Sequence, residues 1–152
     1  MRMVRKHDRD EMGIPRPMTR KQVQEALRRG HSLEDRDLRG VDLAGIDFDG
    51  ISLRGAKLAE ANLSGCSFRQ ADLSHASLWQ ANLQDAVLDG ATLEETDLDL
   101  ANLDGCTFKG ARVRKTIFPD QSDVLGQLRG SLEDGTKVSM PGWGTLDDED
   151  LA

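Results

Sequence analysis

The fold is decided by the stretch of residues 61–85, which reads ANLSG-CSFRQ-ADLSH-ASLWQ-ANLQD. Each group of five residues has a large apolar residue at its centre, such as Leu63 or Phe68, and a small residue two positions earlier. The same spacing continues on both sides, because every fifth residue from Leu33 to Phe118 is Leu, Phe or Val. The chain therefore contains an uninterrupted internal repeat of five residues.

A five-residue period fits neither of the two regular structures over such a length. On an α-helix, which repeats every 3.6 residues, the leucines would be distributed around every side. On a continuous strand, which repeats every two residues, successive leucines would lie on opposite faces. We therefore predict an all-β solenoid that turns a corner once per pentad, with one large and one small side chain of each pentad in its interior.

The motifs of the repeat resemble those of the pentapeptide-repeat family, which is written A-(D/N)-L-x-x. Ala61–Gly65, Ala71–Leu73, Ala81–Leu83 and Ala101–Gly105 match this motif closely. The resemblance implies a right-handed, quadrilateral β-helix with four pentads in each coil. Residues 31–120 would then form about 4.5 coils.

Coils of twenty residues would place residues twenty apart in one column. Phe48, Phe68, Leu88 and Phe108 then share a column in the interior. Cys66 and Cys106 would lie two coils apart, about 10 Å, which is too far for a disulfide. Thr96 and Thr116 occupy small interior positions, so we expect each hydroxyl to bond a backbone carbonyl. Asp42, Asn62, Asn82 and Asn102 would form an outward ladder.

Composition and charge exclude several classes of protein. The chain has 152 residues, 38% of them hydrophobic, and a formal net charge of −7. An acidic chain without clustered Lys and Arg argues against direct nucleic-acid binding and against binding to a membrane surface. Two cysteines form no disulfide framework and no zinc spacing, and the charged N-terminal stretch does not have the pattern of a signal peptide. We expect a cytoplasmic protein with no cofactor and no metal.

The regions flanking the array have their own composition. We interpret residues 1–18 as a mobile basic leader and 19–30 as an N-terminal capping helix, with Thr19 as its N-cap and Gly30 as its stop. Residues 121–130 are expected to form a C-terminal capping helix. Residues 131–152 form an acidic tail that is either disordered or ordered by a partner or a second copy.

The candidate contact residues are of two kinds. Trp79 occupies an outward position with Leu100 nearby, which indicates a partner contact unless a terminal segment covers it. Acidic side chains follow one another in a stretch that has no Lys or Arg between Arg69 and Lys109, and they would circle the rod as either a solvated surface or a docking surface for a basic partner. The candidate set is Trp79, Leu100, Asp85, Asp89, Glu94, Glu95, Asp97, Asp99, Asp104 and Trp143.

The sequence is compatible with three classes of function. The favoured one is a non-enzymatic interaction module, an acidic rod that docks to a protein partner. The alternative, implied by the family resemblance, is a DNA-mimicking binder of a type II topoisomerase (gyrase) that protects it from quinolones or toxins. An enzyme is least favoured, because His75 pairs with Glu95 in this register but has neither a nucleophile nor a cleft beside it. A homodimer through the C-terminal segment is a further hypothesis.

Overall fold

The computed structural model describes residues 16–119 and, in backbone only, 138–140 and 144–146. Its elements are helix α1 (Arg20–Arg28) and strands β1 (Thr116–Ile117), β2 (Val138–Met140) and β3 (Gly144–Leu146). Between α1 and β1 the chain forms ladders of parallel bridges between residues twenty apart, such as Asn62 with Asn82. Four pentads therefore complete one coil, as the sequence analysis predicted.

Each rung of a ladder is one bridging residue rather than a long strand. The chain turns a corner in every pentad, and from Asp35 to Lys115 the last residue of each pentad has a positive φ between 53° and 74°. This left-handed conformation is easy for glycine and costly for other residues, which explains the many glycines at this position. The frequent corners leave room for only a single bridge on each side.

We number the four sides of the rod as faces 1 to 4 and identify each face by its central apolar residues. Residues that are twenty positions apart in the sequence lie on the same face. Face 1 contains Leu53 and Leu73, face 2 contains Leu58 and Leu78, face 3 contains Leu63 and Leu83, and face 4 contains Phe68 and Leu88. The ladder of face 2 is the longest and runs through Asp37, Lys57, Ser77, Asp97 and Ile117.

The interior is filled as the repeat predicts. The central Leu, Phe and Val residues from Leu33 to Phe118 are buried, and the alanines at the small position from Ala56 onward are buried as well. In the predicted face-4 column, the rings of Phe48 and Phe68 stack with their centroids 5.1 Å apart. Each buried large side chain stabilises the fold by about 1.5–3 kcal/mol.

Polar residues in the interior bond to backbone carbonyls. The hydroxyl of Thr96 donates to the carbonyl of Leu73 at 2.7 Å, and the hydroxyl of Thr116 donates to that of Leu93. The thiol of Cys106 likewise donates to the backbone carbonyl of Leu83 at 2.8 Å. The prediction for the two threonines is confirmed.

Helix α1 covers the beginning of the array. Thr19 is its N-cap and exchanges two hydrogen bonds with Gln22, and Val23 is fully buried against the core. The guanidinium of Arg20 donates to the carbonyls of Asp42 (3.3 Å) and Ala44 (2.9 Å). These carbonyls belong to the first coil and have no preceding coil to bond, so α1 both covers the apolar interior and satisfies backbone acceptors at the edge.

The far end of the array is extended by β-strands. β2 pairs in parallel with β1, and β3 pairs antiparallel with β2, in the order β1-β2-β3. The tail of residues 131–152 was expected to be either disordered or ordered by another chain, and six of its residues instead pair within their own chain. This pairing is not evident from the sequence, because three-residue strands have no recognisable period. The predicted helix at 121–130 and the leader residues 1–15 lie outside the described residues.

Candidate interaction surface

The exposed large apolar side chains of the described residues all lie on one side of the rod. Trp79, Leu100 and Ile117 are 37%, 57% and 39% exposed, and all three belong to face 2 or to the corner where face 2 ends. Trp79 and Asp99 occupy equivalent positions one coil apart, and Leu100 follows Asp99 directly. The structure therefore groups Trp79 and Leu100 as the register predicted and adds Ile117, which the sequence analysis had not selected.

Leu100 is unusual in its backbone as well as in its exposure. It has a φ of 59°, and it is the one apolar residue among the described non-glycine residues with positive φ. A bulky side chain in this region costs about 1–2 kcal/mol. Burial does not compensate for that cost, because the Leu100 side chain is more exposed than Trp79 or Ile117.

The acidic side chains on faces 1 and 4 have basic or backbone partners in a neighbouring coil. Glu94 lies 3.6 Å from Arg114, and Glu95 lies 3.2 Å from His75 and 3.8 Å from Lys115. On face 4, a carboxylate oxygen of Asp89 accepts the backbone N–H of Lys109 at 3.0 Å. Glu94 and Glu95 therefore lie beside basic side chains, whereas Asp89 accepts a backbone N–H and forms no ion pair with a described residue.

The remaining candidate acids lie on faces 2 and 3 and form no ion pair with any described residue. Asp97 accepts the N–H of Asp99 at 2.9 Å, which shapes the turn but leaves its charge uncompensated. Asp104 and Asp85 are exposed, and the Asp85 carboxylate folds toward Gly105 in the next coil. The predicted ring of acids does circle the rod, and among the candidate acids only Glu94 and Glu95 form ion pairs with side chains of the described residues.

Face 3 satisfies most of its polar groups internally. The side-chain amide of Asn62 donates to Asp42 at 3.1 Å, and that of Asn82 contacts Asn62 at 3.5 Å. The side-chain oxygen of each ladder residue also accepts the N–H two residues further along the chain, as Asn102 does at 3.0 Å. The predicted outward ladder exists, and the side-chain amides of Asn62 and Asn82 each contact the preceding coil.

The described residues offer little for catalysis. Burial raises the thiol pKa of Cys66 to about 11 and that of Cys106 to about 12, so neither is a thiolate at neutral pH. Both cysteines are free.

No group of three or more His, Cys, Asp or Glu side chains within the described residues could hold a metal ion. No helix in the same part of the chain has the length and hydrophobicity to cross a membrane. Trp143 lies outside the described residues.

Comparison with known proteins points to one family. The family model for pentapeptide repeats matches eight copies, over residues 37–74, 66–105 and 81–118. No curated protein sequence gives a significant match.

Two solved structures agree with this assignment. A pentapeptide repeat protein from the thylakoid lumen of Arabidopsis thaliana is 25% identical, with a TM-score of 0.57 over 74% of this chain and 88% of that one. A pentapeptide repeat protein from Nostoc Pcc 7120 is 33% identical, with a TM-score of 0.51 over 78% of this chain and 99% of that one. QnrB1, a plasmid-mediated fluoroquinolone resistance protein, is 21% identical, with a TM-score of 0.34 over 73% of this chain and 55% of that one. Because the family model matches more than half of the chain and the coils repeat every twenty residues, the chain belongs to the pentapeptide-repeat family.

Proposed function

We propose that this chain is a non-enzymatic protein-interaction module whose partner docks on the face-2 patch, defined as Trp79, Leu100, Ile117, Asp97 and Asp99. The observation that carries the proposal is Leu100, which combines an unfavourable backbone conformation with an exposed apolar side chain. Glycine at this corner would relieve both costs. Residues that cost stability without a structural return are often found at functional sites.

The chemistry of the face-2 patch specifies the kind of partner. Trp79 is the type of aromatic anchor that dominates the energy of many interfaces, and Leu100 and Ile117 extend the apolar area along the rod. Asp97 and Asp99 form no ion pair with any described residue, so they favour Lys or Arg at the rim of the partner's surface. The proposed partner therefore presents an apolar pocket or ridge bordered by basic side chains.

The topoisomerase alternative requires a surface that imitates duplex DNA. Such a surface needs rows of uncompensated negative charge along the rod, because duplex DNA carries a phosphate charge about every 1.7 Å along its axis. On face 4 the equivalent outward positions instead alternate in charge, as Asp49, Arg69, Asp89 and Lys109. On face 1 the acids are paired with Arg114 and Lys115. This distribution supports docking on one face more than imitation of DNA.

The experiment compares capture of a partner by three forms of the immobilised chain. The first is wild type, the second is Trp79→Ala with Leu100→Gly, and the third is a control on face 3, Gln84→Ala with Asp104→Asn. We expect the wild type and the control to retain the same partner from a cell extract and the face-2 variant to lose it. Equal capture by all three folded forms, checked by circular dichroism, would refute the assignment of the patch.

A second assay addresses the alternative directly. DNA supercoiling by gyrase, with and without a fluoroquinolone, is measured in the presence of the same three forms at micromolar concentration. On the proposed function we expect no protection. Protection by the wild type and the face-3 control but not by the face-2 variant would identify gyrase as the partner, and protection by all three would overturn the role of face 2.

A further inference from the structure

The ladders of the rod begin at a strand edge in the first coil. In a stack of parallel rungs, the backbone groups of the first rung that point away from the stack need a partner from outside the array. The ladders of faces 2, 3 and 4 begin at Asp37, Asp42 and Asp47. On face 2, the N–H of Met18 donates to the carbonyl of Asp37 at 2.8 Å. On face 3, Arg20 bonds the carbonyl of Asp42, as described above.

The edge of face 4 is open. In the second coil of this face, the N–H and the carbonyl of Ser67 bond the first coil at 3.2 Å and 2.7 Å, and the carbonyl of Arg69 does so at 2.8 Å. The equivalent groups of the first coil are the N–H and the carbonyl of Asp47 and the carbonyl of Asp49. None of the three has a hydrogen-bond partner among the described residues, and both residues are exposed.

The spacing of these three groups fits one added strand. In the second coil, the bonds come from Ile46, Phe48 and Gly50, which are alternate residues of one segment. A strand laid parallel to residues 46–50 would therefore bond the open edge through three of its own alternate residues. The first would accept the N–H of Asp47, and the next two would donate to the carbonyls of Asp47 and Asp49.

The charge along this face indicates which side chains such a strand would carry. The outward positions Asp49, Arg69, Asp89 and Lys109 alternate in sign. Each cationic residue also donates its backbone N–H to the acid one coil earlier, at 2.8 Å to Asp49 and 3.0 Å to Asp89. Asp89 thus lies between a cationic residue on each side along the rod, whereas Asp49 has one on a single side.

The array itself does not supply the missing cation. The residue twenty positions before Asp49 is Arg29, which caps α1 and whose guanidinium donates to Glu25 at 2.8 Å. Asp47 and Asp49 form no ion pair with any described residue. The same edge of a second copy would bring two further aspartates against them, and like charges at adjacent positions repel. A basic segment of another protein is the complementary occupant.

We infer that the open edge, defined as the backbone of Asp47 and Asp49, takes an extended basic segment of a partner protein as an additional parallel strand. The backbone bonds supply affinity, and Lys or Arg beside the two carboxylates supplies selectivity. Face 4 lies on the opposite side of the rod from face 2, because the four faces follow one another around it. The inference therefore does not rest on the face-2 patch and can succeed or fail independently of it.

The first test is amide hydrogen exchange of the isotope-labelled full chain, measured by NMR. The probe is a short peptide in which Val and Lys alternate, with both ends blocked. We expect the N–H of Asp47 to exchange rapidly in the free chain and at least about tenfold more slowly with saturating peptide. The N–H of Ser67, which is already bonded, should exchange slowly in both samples.

Two methylated peptides separate backbone pairing from simple charge attraction. In an added strand with its lysines beside the carboxylates, the valine N–H groups point toward the edge and the lysine N–H groups point away from it. Methylation of the valine nitrogens removes the donors and keeps the charge, so we expect affinity to fall by at least about tenfold. Methylation of the lysine nitrogens is the matched control and should leave affinity within about threefold.

Two variants of equal charge change test the carboxylates. Asp47→Asn with Asp49→Asn should weaken peptide binding severalfold without disturbing the turn, because Asn62 accepts the N–H two residues on in the same way. Asp97→Asn with Asp99→Asn, on face 2, should leave binding unchanged.

The inference is overturned if the N–H of Asp47 is already protected in the free chain, since another part of this chain or a second copy would then fill the edge. Equal affinity of the two methylated peptides would also overturn it, as would equal effects of the two double variants. Loss of binding in the face-2 variant alone would place the peptide on the face-2 patch, which overturns the open edge and supports the proposed function.

Discussion

Replacement of Gly105 by alanine tests how strongly the corners of the coils restrict sequence. Gly105 has a φ of +74°, and a Cβ added to it would lie 2.2 Å from the Oδ1 atom of Asp85. Gly110 provides a matched control, because it has a φ of +69° and a Cβ there would meet nothing within 4 Å. The two substitutions share the backbone strain and differ in the contact with Asp85.

The magnitudes follow from these two terms. An alanine in the left-handed region costs about 1–2 kcal/mol, and the reduced entropy of the unfolded chain returns about 0.4–1 kcal/mol. We therefore expect Gly110→Ala to lower the free energy of unfolding by about 0.5–1 kcal/mol. Gly105→Ala must also move the Asp85 carboxylate away from its present rotamer, which adds about 0.5–1.5 kcal/mol.

The assay is urea unfolding followed by far-ultraviolet circular dichroism, with the double variant Asp85→Ala/Gly105→Ala completing a double-mutant cycle. We expect the extra loss at Gly105 to disappear when Asp85 is replaced. The reasoning is refuted if Gly105→Ala is no less stable than Gly110→Ala, or if the difference between them persists in the Asp85→Ala background.

Three further predictions concern the interior and the N-terminal end. Thr96→Val removes the hydroxyl that bonds a backbone carbonyl at 2.7 Å and should cost about 1 kcal/mol in urea unfolding, whereas the outward Thr92→Val should cost less than about 0.5 kcal/mol. Burial raises the thiol pKa from 9.0 to about 11 for Cys66 and about 12 for Cys106, so the unfolded chain releases these protons at a lower pH than the folded chain does. The free energy of unfolding should therefore fall as the pH rises above 9.0. The double variant Cys66→Ala/Cys106→Ala should not show this contribution to the fall. Arg20→Gln removes two hydrogen bonds to carbonyls of the first coil and should speed amide hydrogen exchange in α1 while leaving exchange in the middle coils unchanged.

The repeating part of the fold could be predicted from the sequence with few errors. The five-residue spacing of large apolar residues identifies the interior residues, because only a chain that turns once per pentad buries all of them. The Phe48–Phe68 contact and the buried hydroxyls of Thr96 and Thr116 follow from the same register. The start of α1 at Arg20, after Thr19, was predicted as well, since a capping residue acts on its own local sequence.

The candidate surface was predicted only in part. The sequence identified Trp79 and Leu100 and the acids from Asp85 to Asp104, but it did not separate the neutralised acids from the uncompensated ones. That distinction depends on which residue lies one coil away, such as Arg114 above Glu94. It could have been found by comparing each acid with the residue twenty positions further along the chain.

The sequence by itself determined the coil, because the five-residue period specifies which side chains lie inside. The interior of each coil is built from the residues of that coil and of the neighbouring coils. Only the tertiary structure decided the end of the rod and the polarity of its faces. β2 and β3 are each three residues long and have no periodic signal of their own. They pair with the array because the last coil presents an unpaired strand edge, and that edge exists only after the coils have stacked.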